Sequence, residues 1–222
     1  MLVELPMFRI LASCRFIVLF AGALIASTLA SMAQAGPPEP RAANADAPFA
    51  EGWPDATKPG VIEVKKYPAY RSAVASAKNA SMGSDNIMFF SLFRHITQSN
   101  VEMTSPVVNT YEPKMINNPK ELGEVSMEFL YSSPNQGKAG KGVGAVKVVD
   151  HPEANYVCMG VQGRMDDKQM LEGVAKLREW LKNQKEWVEE GSPRRLGYHG
   201  PMTPVSQRLW EVQLPVKKVK NP

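Results

Sequence analysis

The sequence predicts an α+β fold: a duplicated strand-helix-strand-strand unit whose sheets pair, with two main helices on one side and a cleft between them. Three observations carry this. Several segments alternate apolar and polar residues with period two, the signature of half-buried strands. Two longer segments repeat apolar residues at i, i+3, i+4 and i+7, which is one face of a helix. The second half also restates the first. Tyr67-Pro68 returns 84 positions on as His151-Pro152, and Met103-Thr-Ser-Pro-Val107 returns 99 positions on, at Thr203, as Met202-Thr-Pro-Val205. The larger second offset fits a longer second helix and a turn over 189–196. One unit alone buries too little apolar surface, so the two share a core.

Taken in order, residues 1–35 read as a secretory signal peptide. Arg9 and Arg15 lead into an apolar run from Phe16 to Ile25, and small residues follow, ending in Ala33-Gln-Ala35. The run is short of the roughly 20 residues a membrane helix needs, so no stable span is expected after cleavage. The mature chain is expected outside the cytoplasm, periplasmic or secreted. Residues 36–58, rich in Pro and Ala, read as a flexible linker, and residues 59–218 as the folded domain. Residues 61–66 and 70–77 are strands around the Tyr67-Pro68 break. Residues 86–98 are a helix capped by Asp85, its apolar face formed by Phe89, Leu92, Phe93 and Ile96. Residues 103–111 and 125–131 are strands, and 117–123 and 132–144 are turn-rich loops. The second unit opens with strands at 145–149 and 156–162. In the latter, Val157, Met159 and Val161 share one face, and Tyr156, Cys158 and Gly160 the other. Asp166 or Asp167 caps a second helix reaching Gln184, with Met170, Leu171, Val174, Leu177 and Leu181 along its seam. A loop opens at Tyr198, and 208–216 is the closing strand.

Composition narrows the function. At 44% hydrophobic and 22% charged, the chain is ordinary globular protein. Its net charge of +4 comes with one basic cluster, Lys217, Lys218 and Lys220 beside the C-terminus, so nucleic acid is not an expected partner. Of Cys14 and Cys158 only the second outlasts cleavage, which excludes an internal disulfide and leaves a thiol that packs as a small hydrophobe. There is no CxxC or CxxCH, hence no zinc ribbon and no covalent c-type heme. Glycine-rich phosphate loops, HExxH and GxSxG are also absent.

Several motifs together resemble the SOUL heme-binding family. Val61-Ile-Glu-Val-Lys-Lys-Tyr-Pro-Ala-Tyr70 is similar to its opening strand and Phe89-Phe-Ser-Leu-Phe-Arg-His-Ile96 to its first helix. Met103-Thr-Ser-Pro-Val107 is its most recognisable motif. Tyr198-His-Gly-Pro-Met-Thr-Pro204 and Arg208-Leu-Trp-Glu-Val-Gln-Leu214 are similar to its closing loop and strand. The likeness runs from about Gly60 to Val216 and extends, more distantly, to GyrI-like effector-binding domains. It implies a distorted antiparallel β-barrel or paired sheets with two helices. It also implies non-covalent binding of heme or another tetrapyrrole in a shallow apolar cleft between the first helix and the closing loop. The matching positions are Phe89, Phe93 and Arg94 on the helix and Met202 and Thr203 in the loop. Two positions depart from the family. Lys66 stands where some members carry a proposed histidine ligand, and Thr203 where the closing loop carries a lysine suited to a propionate.

A heme site needs a flat apolar cleft, cations for two carboxylates and usually an axial His, Met, Cys or Tyr. His95, on the first helix, and His199, in the closing loop, are the candidate iron ligands, because the family uses these two elements; the commoner state of such a residue is a surface or structural histidine. His151 starts a strand on the side opposite the cleft. The reading is a binding protein and not an enzyme, with heme as the expected cofactor. Two alternatives remain open. One, implied by the likeness to GyrI-like domains, is hydrolysis of a small apolar molecule, with Glu102 or Glu211, near the two repeated motifs, as the acid; a buried acid with a raised pKa near Tyr198 favours it. The other is a protein-interaction module.

Overall fold

The computed structural model describes residues 45–219. The expected signal peptide, the first part of the expected linker and Lys220 lie outside the described residues. Among the described residues no helix is long and apolar enough to cross a membrane.

The first unit contains β1 (Ile62–Tyr67), β2 (Tyr70–Ala80), helix α1 (Asp85–Gln98), β3 (Val107–Tyr111), a short α2 (Pro113–Asn117) and β4 (Gly123–Leu130). A two-residue β5 (Gly140–Lys141) lies in the connecting loop. The second unit contains β6 (Lys147–His151), β7 (Ala154–Gln162), α3 (Asp167–Lys182), β8 (Trp187–Glu189), β9 (Arg194–Gly197) and β10 (Leu209–Lys218). All pair antiparallel in one sheet of order β1-β7-β10-β9-β3-β4-β2-β6-β5, with β8 also on β10. The path does not close, so the paired-sheet form holds and the barrel does not.

The duplication is visible in this order. Exchange each strand for its counterpart (β1 for β6, β2 for β7, β3 for β9, β4 for β10), and the sequence from β1 to β6 reads the same from either end. Registers agree as well. Val64↔Val157 in the first pair becomes Ala73↔Val148 in the second when each partner shifts by 84 positions. The Met-Thr repeat is a different matter. Met103-Thr104 precedes β3, whereas Met202-Thr203 follows β9 and precedes β10, so the two copies are not equivalent places in the fold.

Both helices pack on one face of the sheet. Met88, Leu92 and Ile96 of α1 join Met170, Val174, Leu177 and Leu181 of α3 in one buried cluster with Ala73, Met127, Val157, Met159 and Val212. Helix α3 is capped by Asp166, whose carboxylate accepts from the N–H groups of Lys168 and Gln169 while Gln169 reaches back, a capping box. Helix α1 is not capped by Asp85. Ser84 is the cap, without a side-chain hydrogen bond, and Asp85 is the first helical residue.

The opposite face carries Tyr67, Tyr70, Cys158, Leu196 and Tyr198, and residues 45–58 lie over it. This stretch, expected as part of a linker, packs: Ala50, Trp53 and Thr57 are buried. Trp53 meets Tyr67 and Tyr70 edge-on at 4.8 and 5.1 Å, a burial worth about 1.5–3 kcal/mol. Gly160 makes room for the strap. A Cβ there would stand 2.2 Å from the Thr57 carbonyl oxygen.

Candidate functional site

A cleft of about 700 Å³ opens on the helical face between α1 and the closing loop after β9. That volume is in the ordinary range for small-molecule sites. Its shape follows from how α1 is turned. The buried seam is Met88, Leu92, His95 and Ile96, not the expected Phe89, Leu92, Phe93 and Ile96. One helical step of rotation places His95 in the core and swings the phenylalanines onto the cleft wall. Phe89 stacks nearly parallel on Phe93, with 6.4 Å between centroids and 8° between planes, and is anchored edge-on by Phe129 at 5.2 Å. Phe93 remains 52% exposed. Met103, Val107, Met127 and Trp210 extend the apolar floor. Trp210 lies across Gly197 on the neighbouring strand, where a Cβ would come within 2.7 Å of the indole ring. Its Nε1 donates to the Gly163 carbonyl at 2.9 Å.

The polar part of the cleft comes from β9 and α1. Arg195 is ion-paired through Nη2 with Asp85, which also accepts from Asn109 Nδ2 at 3.4 Å. Burial pushes the Asp85 carboxyl up, against the pull of Arg195. Arg208 braces the closing loop by donating to the carbonyls of Thr203 and Pro201 at 2.8 and 2.7 Å. Asp46 holds the same loop from outside, accepting from Gly200 N–H and the Thr203 hydroxyl. The Gly200 N–H bond holds its pKa below the ordinary carboxylate value.

The expected site residues divide. Phe89, Phe93 and His199 line the cleft. Arg94 does not; its guanidinium lies against Gly144 on another side of α1. Met202 is 93% exposed and, with Thr203, borders a separate depression beside Asp46. Gly200 and Pro201 supply the loop wall in their place. His95 is buried, and burial lowers its pKa. The N–H of Val143 donates to its Nδ1 at 3.2 Å, so the neutral ring carries its proton on Nε2 and donates to Tyr131 Oη at 2.9 Å. His199 is fixed the same way, with Nδ1 accepting from Leu209 N–H at 3.0 Å. A metal-bound histidine donates from its second nitrogen. Both rings here accept at that nitrogen, so neither presents a lone pair on Nε2 to an iron. Among the described residues no group of three or more His, Cys, Asp or Glu is placed to hold a metal ion.

Sequence reasoning missed Arg195, Trp210 and Arg208. Trp210 and Arg208 stood in a recognised motif. Arg195 stood in a stretch expected as a turn, and period two over Arg194-Arg195-Leu196-Gly197 is too short a signal to reveal a strand.

Glu102 is exposed, and Glu211 belongs to the other face. Glu211 is fully buried and near Tyr198. It accepts from Thr57 N–H and Lys65 Nζ, both at 2.5 Å, from Tyr67 Oη at 3.1 Å and from Gln213 Nε2. Burial raises Tyr67 and Tyr198 well above the ordinary phenol pKa, so both stay protonated. His151 lies on this face too, stacked on Tyr70 and bonded to Ser72 at 2.8 Å.

Residues 55–215 match the profile of the SOUL heme-binding protein family. No curated protein matches the chain in sequence. Among solved structures, the C-terminal domain of EcmrR aligns with TM-score 0.58 at 17% identity, over 72% of this chain and 98% of that one. An uncharacterized conserved protein from Listeria innocua aligns with TM-score 0.55 at 13% identity, over 72% and 93%. A hydrolase from Listeria innocua aligns with TM-score 0.54 at 13% identity, over 72% and 94%. These likenesses establish the shared fold.

Proposed function

Because the chain belongs to the SOUL heme-binding protein family, we propose that it binds heme or a related tetrapyrrole, without transforming it, in the cleft between α1 and the closing loop, after export from the cytoplasm. The observation that carries this is the rotation of α1, which sets the stacked Phe89–Phe93 pair on the cleft wall. A flat ring buried there gains about 25 cal/mol per Å² of apolar surface. The ring is held by burial between Phe93 and Trp210, with Arg195 and Arg208 as the cations within reach of its substituents. The histidine tautomers favour binding without a protein ligand to iron.

A heme titration followed in the Soret band tests this. Phe93→Asp is expected to weaken binding by about 2 kcal/mol, roughly thirtyfold. His95→Ala and His199→Ala, compared at equal folded fraction, are each expected to change it only a fewfold. Loss of the Soret shift on removing one histidine alone would show an axial ligand and overturn burial-led binding.

Hydrolysis has one observation in its favour, the buried Glu211 beside Tyr198. Against it, four donors already occupy the carboxylate, which has about four lone-pair sites. That leaves no acceptor for a water proton. Binding is the better reading.

A further inference from the structure

The face opposite the cleft holds two buried carboxylates, and they are not equally paired. Glu211, under the strap of residues 45–58, has donors on both oxygens. Oε1 accepts from Thr57 N–H and from the Lys65 ammonium, and Oε2 from Tyr67 and Gln213. Glu128 on β4 is 6% exposed, and its partners all sit on one oxygen. Oε2 accepts from Ser72 Oγ at 2.9 Å and Tyr70 Oη at 3.4 Å, and lies 3.3 Å from His151 Nε2. Among the described residues Oε1 has no partner, and it is not sealed in the protein interior. Glu128 lines a pocket of about 520 Å³ together with Tyr70, Ser126, His151, Tyr156 and Arg194. The free oxygen is the part of it that can meet a ligand there. A carboxylate this deeply placed is almost always paired on both sides, so the pocket lacks a donor.

The duplication and the charges say which donor. The shift of 84 positions that turns β1 into β6 carries Tyr67 onto His151 and Lys65 onto Val149. The second opening strand therefore has an aliphatic side chain where the first supplies an ammonium. Arg194 stands between the two acids. Its Nε donates to Gln213, which donates to Glu211, and its Nη1 donates to Tyr70 Oη at 3.3 Å, which donates to Glu128. One guanidinium thus serves both carboxylates, and Lys65 completes the charge at Glu211 alone. His151 adds none, because burial lowers its pKa and the ring is neutral at pH 7. Glu190, at the pocket rim, is paired with Lys217 at 2.9 Å. Lys147 shares a row of the sheet with Glu128 through Val74, but it is exposed and forms no ion pair among the described residues. The Glu128 end is the negative end of this face. We propose that the pocket binds a primary ammonium, of a free amine or of a lysine side chain, with an N–H on Glu128 Oε1 and its carbon body against Tyr156. A charge-assisted bond of this kind is stronger than a neutral one. The site lies on the face away from the tetrapyrrole cleft and stands whether or not that reading does.

The test uses the full chain at pH 7 and three probes: benzylamine, benzyl alcohol and N-acetyl-lysine methylamide. Binding is read from NMR shifts of the backbone amides around Ser126 and Gly191. The first two probes differ by an ammonium against a hydroxyl, and the amine is expected to bind about tenfold tighter, the equivalent of one charged hydrogen bond. Glu128→Gln keeps the shape of the side chain and removes its charge. Ser126→Lys sets a tethered ammonium in the pocket, two residues along the same strand; the Ser126 side chain has no hydrogen bond among the described residues to lose, so this variant keeps the test open if the first fails to fold. In each the amine-to-alcohol ratio is expected to fall to about twofold or less, and reading the ratio within one variant cancels any general loss of affinity. The lysine amide separates the two sources: shifts of the same amides assign the site to a lysine side chain, and their absence beside benzylamine binding assigns it to free amines. Equal affinities of benzylamine and benzyl alcohol, a ratio unchanged in a folded variant, or no saturable shift with either amine would overturn the proposal.

Discussion

A single helical step separates the expected from the observed roles of four α1 residues. Phe89 and Phe93 were legible as a pair because residues four apart share a helix surface whichever way the helix is turned. Which surface faces the core was not legible, because Met88 and His95 complete an apolar stripe as well as the phenylalanines do. Arg94 moves off the cleft for the same reason, and Arg195 on another element takes its place. The buried position of His95 has a consequence in pH. Its folded pKa lies below the ordinary value of 6.5 through burial. As pH falls below 6.5 the unfolded chain takes the proton first, so the stability held by the neutral ring is present above that pH and lost toward the folded pKa. His151 has the same sign, burial outweighing the pull of Glu128. The melting temperature is therefore expected to fall from pH 7 to pH 5, ahead of carboxylate titration. His95→Gln is expected to start lower and fall less steeply. A slope identical to the parent's in that variant would show that this imidazole takes up no proton on unfolding.

The elements that were legible are the long periodic ones: β1, β2, α1, β4, β7, α3 and β10. The ones missed, α2, β5, β8 and β9, span two to five residues, too few for a period to declare itself. β9 matters most, because it joins the two units at the centre of the sheet and carries Arg195. Its strand state is imposed from both sides by β3 and β10, a tertiary cause with little local trace. The segment 103–106, expected as strand, carries Pro106, which has no N–H to give a ladder, and β3 begins just after it. Helix α3 depends on a close approach that only one residue type allows. At Gly173 a Cβ would lie 2.7 Å from Cγ2 of Val212, which is itself fully buried. Gly173→Val gains a few tenths of a kcal/mol in helix propensity. It loses about 1–3 kcal/mol, or more, to overpacking, because β10 has no room to retreat. A net loss of about 2 kcal/mol of stability, read as a lower denaturant midpoint with unchanged slope, is the expected result. An unchanged or raised midpoint would mean that α3 can lift from the sheet without cost.

In the molecule as a whole, the sheet is covered on both faces, by the helices on one and by residues 45–58 on the other. The strap begins soon after the expected leader, and the proposed cleavage at Ala35 would leave it intact. Protein recovered from its native envelope is expected to begin at or near Gly36 on N-terminal sequencing; a retained Met1 would count against removal of the leader. The exchange of opening strands reaches further. β1 belongs by sequence to the first unit and, among the described residues, pairs within the second unit, on β7, while β6 returns the favour on β2. Two separate copies of one unit, trading arms across a twofold axis, would make the same contacts. The present chain has the topology of an intertwined homodimer fused into one polypeptide, with the stretch between β4 and β6 as its tether. Within one polypeptide the two units need not be alike. The first keeps a Phe-lined helix beside the cleft and the second has a longer helix packed on the sheet, so a nearly symmetric strand order carries a cleft beside α1.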